Sequence, residues 1–96
     1  MSVIRLTVRN PSGIHARPAA QFVKTAGRFR STVMVVNVTS GRGPADAKSI
    51  LAVLPLGVAQ GHEIEVSAEG ADAEEAIAAI TEAVNTGLGE AISPAG

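Results

Sequence analysis

The sequence predicts an α+β fold, a four-stranded sheet with helices packed on one face. Three observations predict it. The hydrophobic period switches between two and 3.6 along the chain in the order β-α-β-β-α-β-α. Clusters of Gly, Pro, Asn and Ser punctuate most of the switches. Ninety-six residues, 46% of them hydrophobic, are enough for one core and leave no room for a second. Four strands need one covering layer to bury their apolar face, and the helices supply it.

Each element follows from its own pattern. Val3 to Arg9 alternates, with Ile4, Leu6 and Val8 on one face and Arg5, Thr7 and Arg9 on the other, as in a half-buried strand. Asn10-Pro11-Ser12-Gly13 breaks it. From Ala16, the spacing of Ala19, Phe22, Val23 and Ala26 is that of a helix face, and Gly27 is expected as its left-handed stop. Thr32 to Val38, rich in Val, is the second strand. Ser40 to Pro44 is a loop, and a short third strand runs from about Pro44 to Asp46. It belongs at an edge, because Pro44 cannot donate to a ladder. Ser49 caps a brief helix through Leu54, which Pro55 and Gly57 end. Gly61 to Ala68 alternates again, Ile64 and Val66 inward, Glu63 and Glu65 outward. Asp72 and Glu75 form a capping-box-like start for a last helix buried through Ala76, Ile77, Ile80, Ala83 and Val84. Leu88 to Gly96 lacks periodicity. We take residues 1–88 as the domain and 89–96 as a flexible tail or the start of a linker.

Composition removes several function classes. The only aromatics are Phe22 and Phe29, so base-stacking platforms are missing, and a net charge of −1 without a basic stripe argues against nucleic acid. With no cysteine there is no thiolate or disulfide chemistry. Two isolated histidines give no metal-ligand spacing, and no cofactor is expected. No stretch approaches the roughly 20 apolar residues of a membrane helix, so the expectation is a cytoplasmic protein without direct membrane insertion.

One position carries chemistry. His15 lies where the Gly13 turn feeds into the first helix, beside unpaired N–H donors and the positive end of the helix dipole. If His15 is the N-cap, a phosphoryl group on its Nδ1 could reach the N–H groups of Ala16 and Arg17. Pro18 falls where no intrahelical bond is lost, and the Arg17 guanidinium suits bidentate contact with phosphate oxygens. An exposed terminus contributes only about 0.3–1 kcal/mol, which suits a group that must be released again. The same residues also describe a surface histidine beside a solvated arginine, and physics alone does not separate the two readings.

The run Gly13-Ile14-His15-Ala16-Arg17-Pro18-Ala19-Ala20 resembles the active-site motif of the histidine-containing phosphocarrier (HPr) family of the bacterial sugar phosphotransferase system. Two further runs are similar: Ala47 to Leu51 followed by Leu56 to Gly61, and Ser67 to Ala76. The resemblance implies an antiparallel sheet of order 1-4-2-3 under three helices. It implies a monomeric carrier without a small-molecule substrate of its own: His15 takes a phosphoryl group from phosphorylated enzyme I and passes it to sugar-specific IIA proteins. Arg17 would stabilise the phosphate, and Ala20, Ile50, Leu51 and Leu54 would form the docking face. Ser49 matches the family's regulatory serine, the target of HPr kinase in some bacteria, although capping its helix also explains it.

The chain departs from the family pattern at Pro55 and in the loop from Thr39 to Asp46, which is expected to be longer than the usual hairpin. Gly61-His62 and the ending Ala83 to Glu90 look more like the HPr domains of fructose-branch multiphosphoryl transfer proteins, with Ala91 to Gly96 as linker. His62 itself is expected to be an exposed turn residue without a catalytic role. The alternative function is a regulatory module that docks according to phosphorylation at His15 or Ser49. A hydrolase with His15 as base is weaker, because no acidic orienting residue stands near it in sequence.

Overall fold

The structure is a computed structural model that describes residues 1–92. Its elements are β1 (Ser2–Thr7), α1 (Ala16–Gly27), β2 (Thr32–Asn37), β3 (Arg42–Asp46), α2 (Ile50–Val53) with a 3-10 turn (Leu54–Leu56), β4 (Glu63–Glu69) and α3 (Ala73–Asn85). The four strands form one antiparallel sheet of order β1-β4-β2-β3. As expected, β3, which contains Pro44, is an edge strand.

Register follows from the alternation. Leu6 pairs with Ile64, and Val35 pairs with Val66, so their side chains share the covered face. Phe22, Ile14, Ile80 and Val84 close over them, and all are buried. Phe22 is fully enclosed, and truncating such a side chain to Ala typically costs about 3–5 kcal/mol. On the open face, Arg5 Nε reaches Glu65 Oε1 at 3.3 Å, an exposed pair of little energetic consequence.

Several local expectations change. Gly27 is the last helical residue and does not take a positive φ. The chain instead tightens into i→i+3 bonds, Arg28 N–H to Thr25 at 3.2 Å and Phe29 N–H to Ala26 at 3.3 Å. The hairpin between β2 and β3 is short, residues 38–41, because Arg42 and Gly43 join the third strand. The second helix is as brief as Pro55 and Gly57 require. Four α-helical residues pass into the 3-10 turn that holds Pro55, and Gly57 closes it at φ +61°. Asp72 is the N-cap of α3 but makes no cap bond of its own. Its carboxylate accepts from the backbone N–H groups of Arg30 and Ser31, each at 2.9 Å, and from the Ser31 hydroxyl. Those donors belong to the α1–β2 connection, so Asp72 ties two distant segments together. These hydrogen bonds, led by Ser31 Oγ, lower its pKa from 3.8 to about 2.

At the end of the chain Leu88, the last residue of the expected domain, is 2% exposed and belongs to the core although it lies in an unpatterned stretch. Glu90, expected in the tail, is bound to the turn after β1. The rest of the expected tail, 93–96, lies outside the described residues.

Candidate functional site

The site is built on a turn. Asn10 is buried, and its amide donates to the Gly13 carbonyl at 2.8 Å, closing Asn10-Pro11-Ser12-Gly13. Gly13 takes φ +61°, and its Cα lies so near the loop after α2 that a Cβ would stand 2.2 Å from the Val58 carbonyl oxygen. Glycine is required there on both counts. Ile14 then donates its N–H to Val58 O at 3.0 Å and is buried, which anchors the residue before His15.

His15 is the N-cap of α1, with φ −133° and ψ 161°, and it is exposed. Its carbonyl accepts from Ala19 N–H at 3.3 Å, the first ladder bond of the helix. Ala16 follows at φ +52°, a left-handed conformation that costs a non-glycine residue roughly 1–2 kcal/mol. The N–H groups of Ala16 and Arg17 make no backbone bond among the described residues. Arg17 is exposed, and its guanidinium has no hydrogen-bond or ion-pair partner among them. An imidazole, two free amide donors and a free guanidinium are thus within three consecutive residues. Pro18 and Ala19 are buried beneath them and hold the first turn on the core.

Sequence reasoning missed Glu90. Its Oε1 accepts from Asn10 Nδ2 and Ser12 N–H, both at 2.9 Å, and its Oε2 from the Ser12 hydroxyl at 2.7 Å. Asn10, then the Ser12 amide and hydroxyl, lower its pKa. The donors of Ser12 are thereby occupied, which leaves those of Ala16 and Arg17 for an anion. No sequence pattern joins positions 78 residues apart, so nothing local could have revealed this clasp.

The second helix lies against the first. Ser49 caps it by accepting from Ala52 N–H at 3.3 Å and is half-buried. Among the residues expected on the docking face, Ala20 is exposed, Leu51 is 81% exposed and Ile50 37%. Leu54 instead turns partly inward and packs on the core. His62 is not the freely exposed turn residue expected. It is half-buried, and its Nδ1 accepts from Ala59 N–H at 3.1 Å. No helix among the described residues is long and apolar enough to cross a membrane.

A strained turn that presents a histidine at a helix start, on an open sheet of order 1-4-2-3, defines a class of histidine phosphocarrier folds. Residues 3–86 match the family described as the PTS HPr component phosphorylation site, and the chain belongs to the HPr family. It is 45% identical over 83 residues to the multiphosphoryl transfer protein of Escherichia coli O157:H7, a match covering 86% of this chain and 22% of that protein. The chain thus spans about a fifth of the length of such relatives. Among solved structures, HPr-C-His from Thermoanaerobacter tengcongensis superposes with a TM-score of 0.89 at 40% identity, covering 96% of this chain and all of that one. The phosphocarrier protein HPr from Bacillus anthracis gives 0.80 at 36%, covering 86% and 95%.

Proposed function

We propose that this chain relays phosphoryl groups in the phosphoenolpyruvate-dependent sugar phosphotransferase system, with His15 as the transient carrier. The observation that carries the reading is the placement of an exposed His15 next in sequence to the N–H groups of Ala16 and Arg17 and the Arg17 guanidinium, none of which has a partner among the described residues. The lone pair of neutral Nδ1 attacks phosphorus, a P–N bond forms, and the bond from phosphorus to the donor breaks. The amides and Arg17 meet the anionic oxygens, and the reverse geometry serves the next transfer. Enzyme I is the proposed donor and a sugar-specific IIA protein or domain the proposed acceptor, both cytoplasmic.

The docking face would be the exposed edge of α1 and α2, with Ala20, Ile50 and Leu51 leading and Leu54 beneath them. Such a small apolar patch suits a partner that must leave. Ser49, at the start of α2, is the proposed regulatory site. A phosphate there would put negative charge beside that face. The relatives also support a place for this domain within a longer multiphosphoryl transfer protein.

Incubation with enzyme I and phosphoenolpyruvate should add one acid-labile phosphate. H15A should add none, and R17A should fold normally but transfer more slowly. Full labelling of H15A would refute the assignment.

A further inference from the structure

We propose that His62 is a positioning residue for His15, acting through the single peptide unit that joins Val58 to Ala59. The proposal rests on the carrier reading of His15 and extends it to a side chain 47 positions away in the sequence.

The Val58–Ala59 peptide is gripped at both ends. Its carbonyl oxygen accepts from Ile14 N–H at 3.0 Å, and its N–H donates to His62 Nδ1 at 3.1 Å. A peptide is a rigid plane, so whatever fixes the direction of the N–H also fixes the direction of the C=O. His62 therefore orients the acceptor that holds Ile14, the residue covalently joined to His15. Gly13 tightens the connection, because its Cα packs directly on the same plane and leaves no space for even one methyl group.

The ring is itself held. His62 N–H donates to the Ala59 carbonyl at 3.0 Å, and Val8 N–H to the His62 carbonyl at 2.9 Å, so its backbone is bound on two sides. Asn37, fully buried, places its Nδ2 3.2 Å from His62 Nδ1 while donating to Leu56 O at 2.9 Å. A backbone N–H can only donate, so Nδ1 must be an acceptor and the ring carries its proton on Nε2. That deduction stands whichever way the Asn37 amide is turned. The sequence Val58-Ala59-Gln60-Gly61-His62 thus forms a braced loop between the β1–β4 end of the sheet and the carrier turn, with Gly61 N–H fixed to Val8 O at 2.7 Å.

The test uses two variants of the whole chain. H62L removes the acceptor, and H62N restores one, because its Oδ1 occupies the place of Nδ1. The expected results are an Nε2–H tautomer for His62 in the two-bond nitrogen–proton spectrum and a roughly tenfold slower phosphorylation of His15 by enzyme I in H62L, the scale of a misplaced reacting group. H62N should recover most of the rate. Thermal unfolding, followed alongside, ensures that rates are compared on folded protein. A proton on Nδ1, a wild-type rate in H62L, or failure of H62N to recover the rate overturns the proposal. If the unaltered chain takes up no phosphate, the carrier reading falls by itself. The positioning claim is then decided by the Ile14 amide and His15 ring resonances, which must move in H62L and return in H62N.

Discussion

Replacing Gly13 by alanine tests whether the turn before His15 is seated against the Val58–Ala59 peptide as described. Two costs add. The backbone at φ +61° costs an L-residue roughly 1–2 kcal/mol. The new Cβ would also stand 2.2 Å from Val58 O and 2.8 Å from Ala59 Cα, both backbone atoms that no rotamer change can clear. Forcing them apart resembles overpacking, about 1–3 kcal/mol. The sum is about 2–5 kcal/mol, a large share of the 5–15 kcal/mol that holds a domain of this size folded. Gly61→Ala is the control, because Gly61 has φ +88° and nothing within 4 Å of a built Cβ. It should lose only the conformational part, roughly 1–2 kcal/mol. Urea unfolding with a common m-value reads both. At roughly 4–8 °C per kcal/mol for a small domain, the two variants should also separate clearly in Tm. If G13A proves no less stable than G61A, the turn does not pack on that peptide and the geometry of the site is refuted.

Other outcomes follow from single contacts. The folded-state pKa of Asp72 lies below its ordinary value, so its contribution to stability is complete above about pH 4 and lost as pH falls toward about 2. D72N should flatten that part of an acid-unfolding curve, and an unchanged curve would contradict the clasp with Arg30 and Ser31. Glu90 should titrate below the usual glutamate range, and E90Q should speed hydrogen exchange at the Ser12 amide, which the carboxylate now holds at 2.9 Å. S49A should cost about 0.5–1 kcal/mol by chemical denaturation, the low end for a cap because the bond to Ala52 is long at 3.3 Å. A16G should be neutral or stabilising by up to about 1 kcal/mol, whereas at an ordinary helix position Ala→Gly costs about that much. An ordinary loss there would show that Ala16 is not left-handed.

What the sequence revealed divides by range. Period and punctuation located all seven main elements, because alternation in Val3–Arg9 and the i, i+3, i+4 spacing in Ala19–Ala26 are themselves the packing requirement. The N-cap at His15 and the brief helix after Ser49 were legible for the same reason, since both depend on neighbours within four residues. Legibility failed wherever a polar side chain had a choice of partners. Asp72 has the spacing of a capping box, yet its oxygens meet stronger competition from three donors on the α1–β2 connection. Glu90 follows two glycines and reads as tail, but the carboxylate finds Asn10 and Ser12 across the fold. His62 reads as a turn residue, which it is, and its ring nitrogen is nevertheless committed to a backbone donor. The left-handed Ala16 has no sequence signal at all, because only Gly, and occasionally Asn or Asp, marks such a position.

The division of labour at His15 fits what the proposed relay would require. A site that bound phosphate tightly would retain it, and an exposed helix start with one arginine provides only modest electrostatic stabilisation. Placement would matter more, since in that reading the ring meets a donor and then an acceptor in the same orientation. In this structure the energetic investment is correspondingly in the backbone: Gly13 pressed to contact distance on a peptide, Ala16 held in a strained conformation, and Ile14 buried between them. Their combined effect is to let an exposed imidazole keep a defined position, open to solvent and so to the two partners proposed for it.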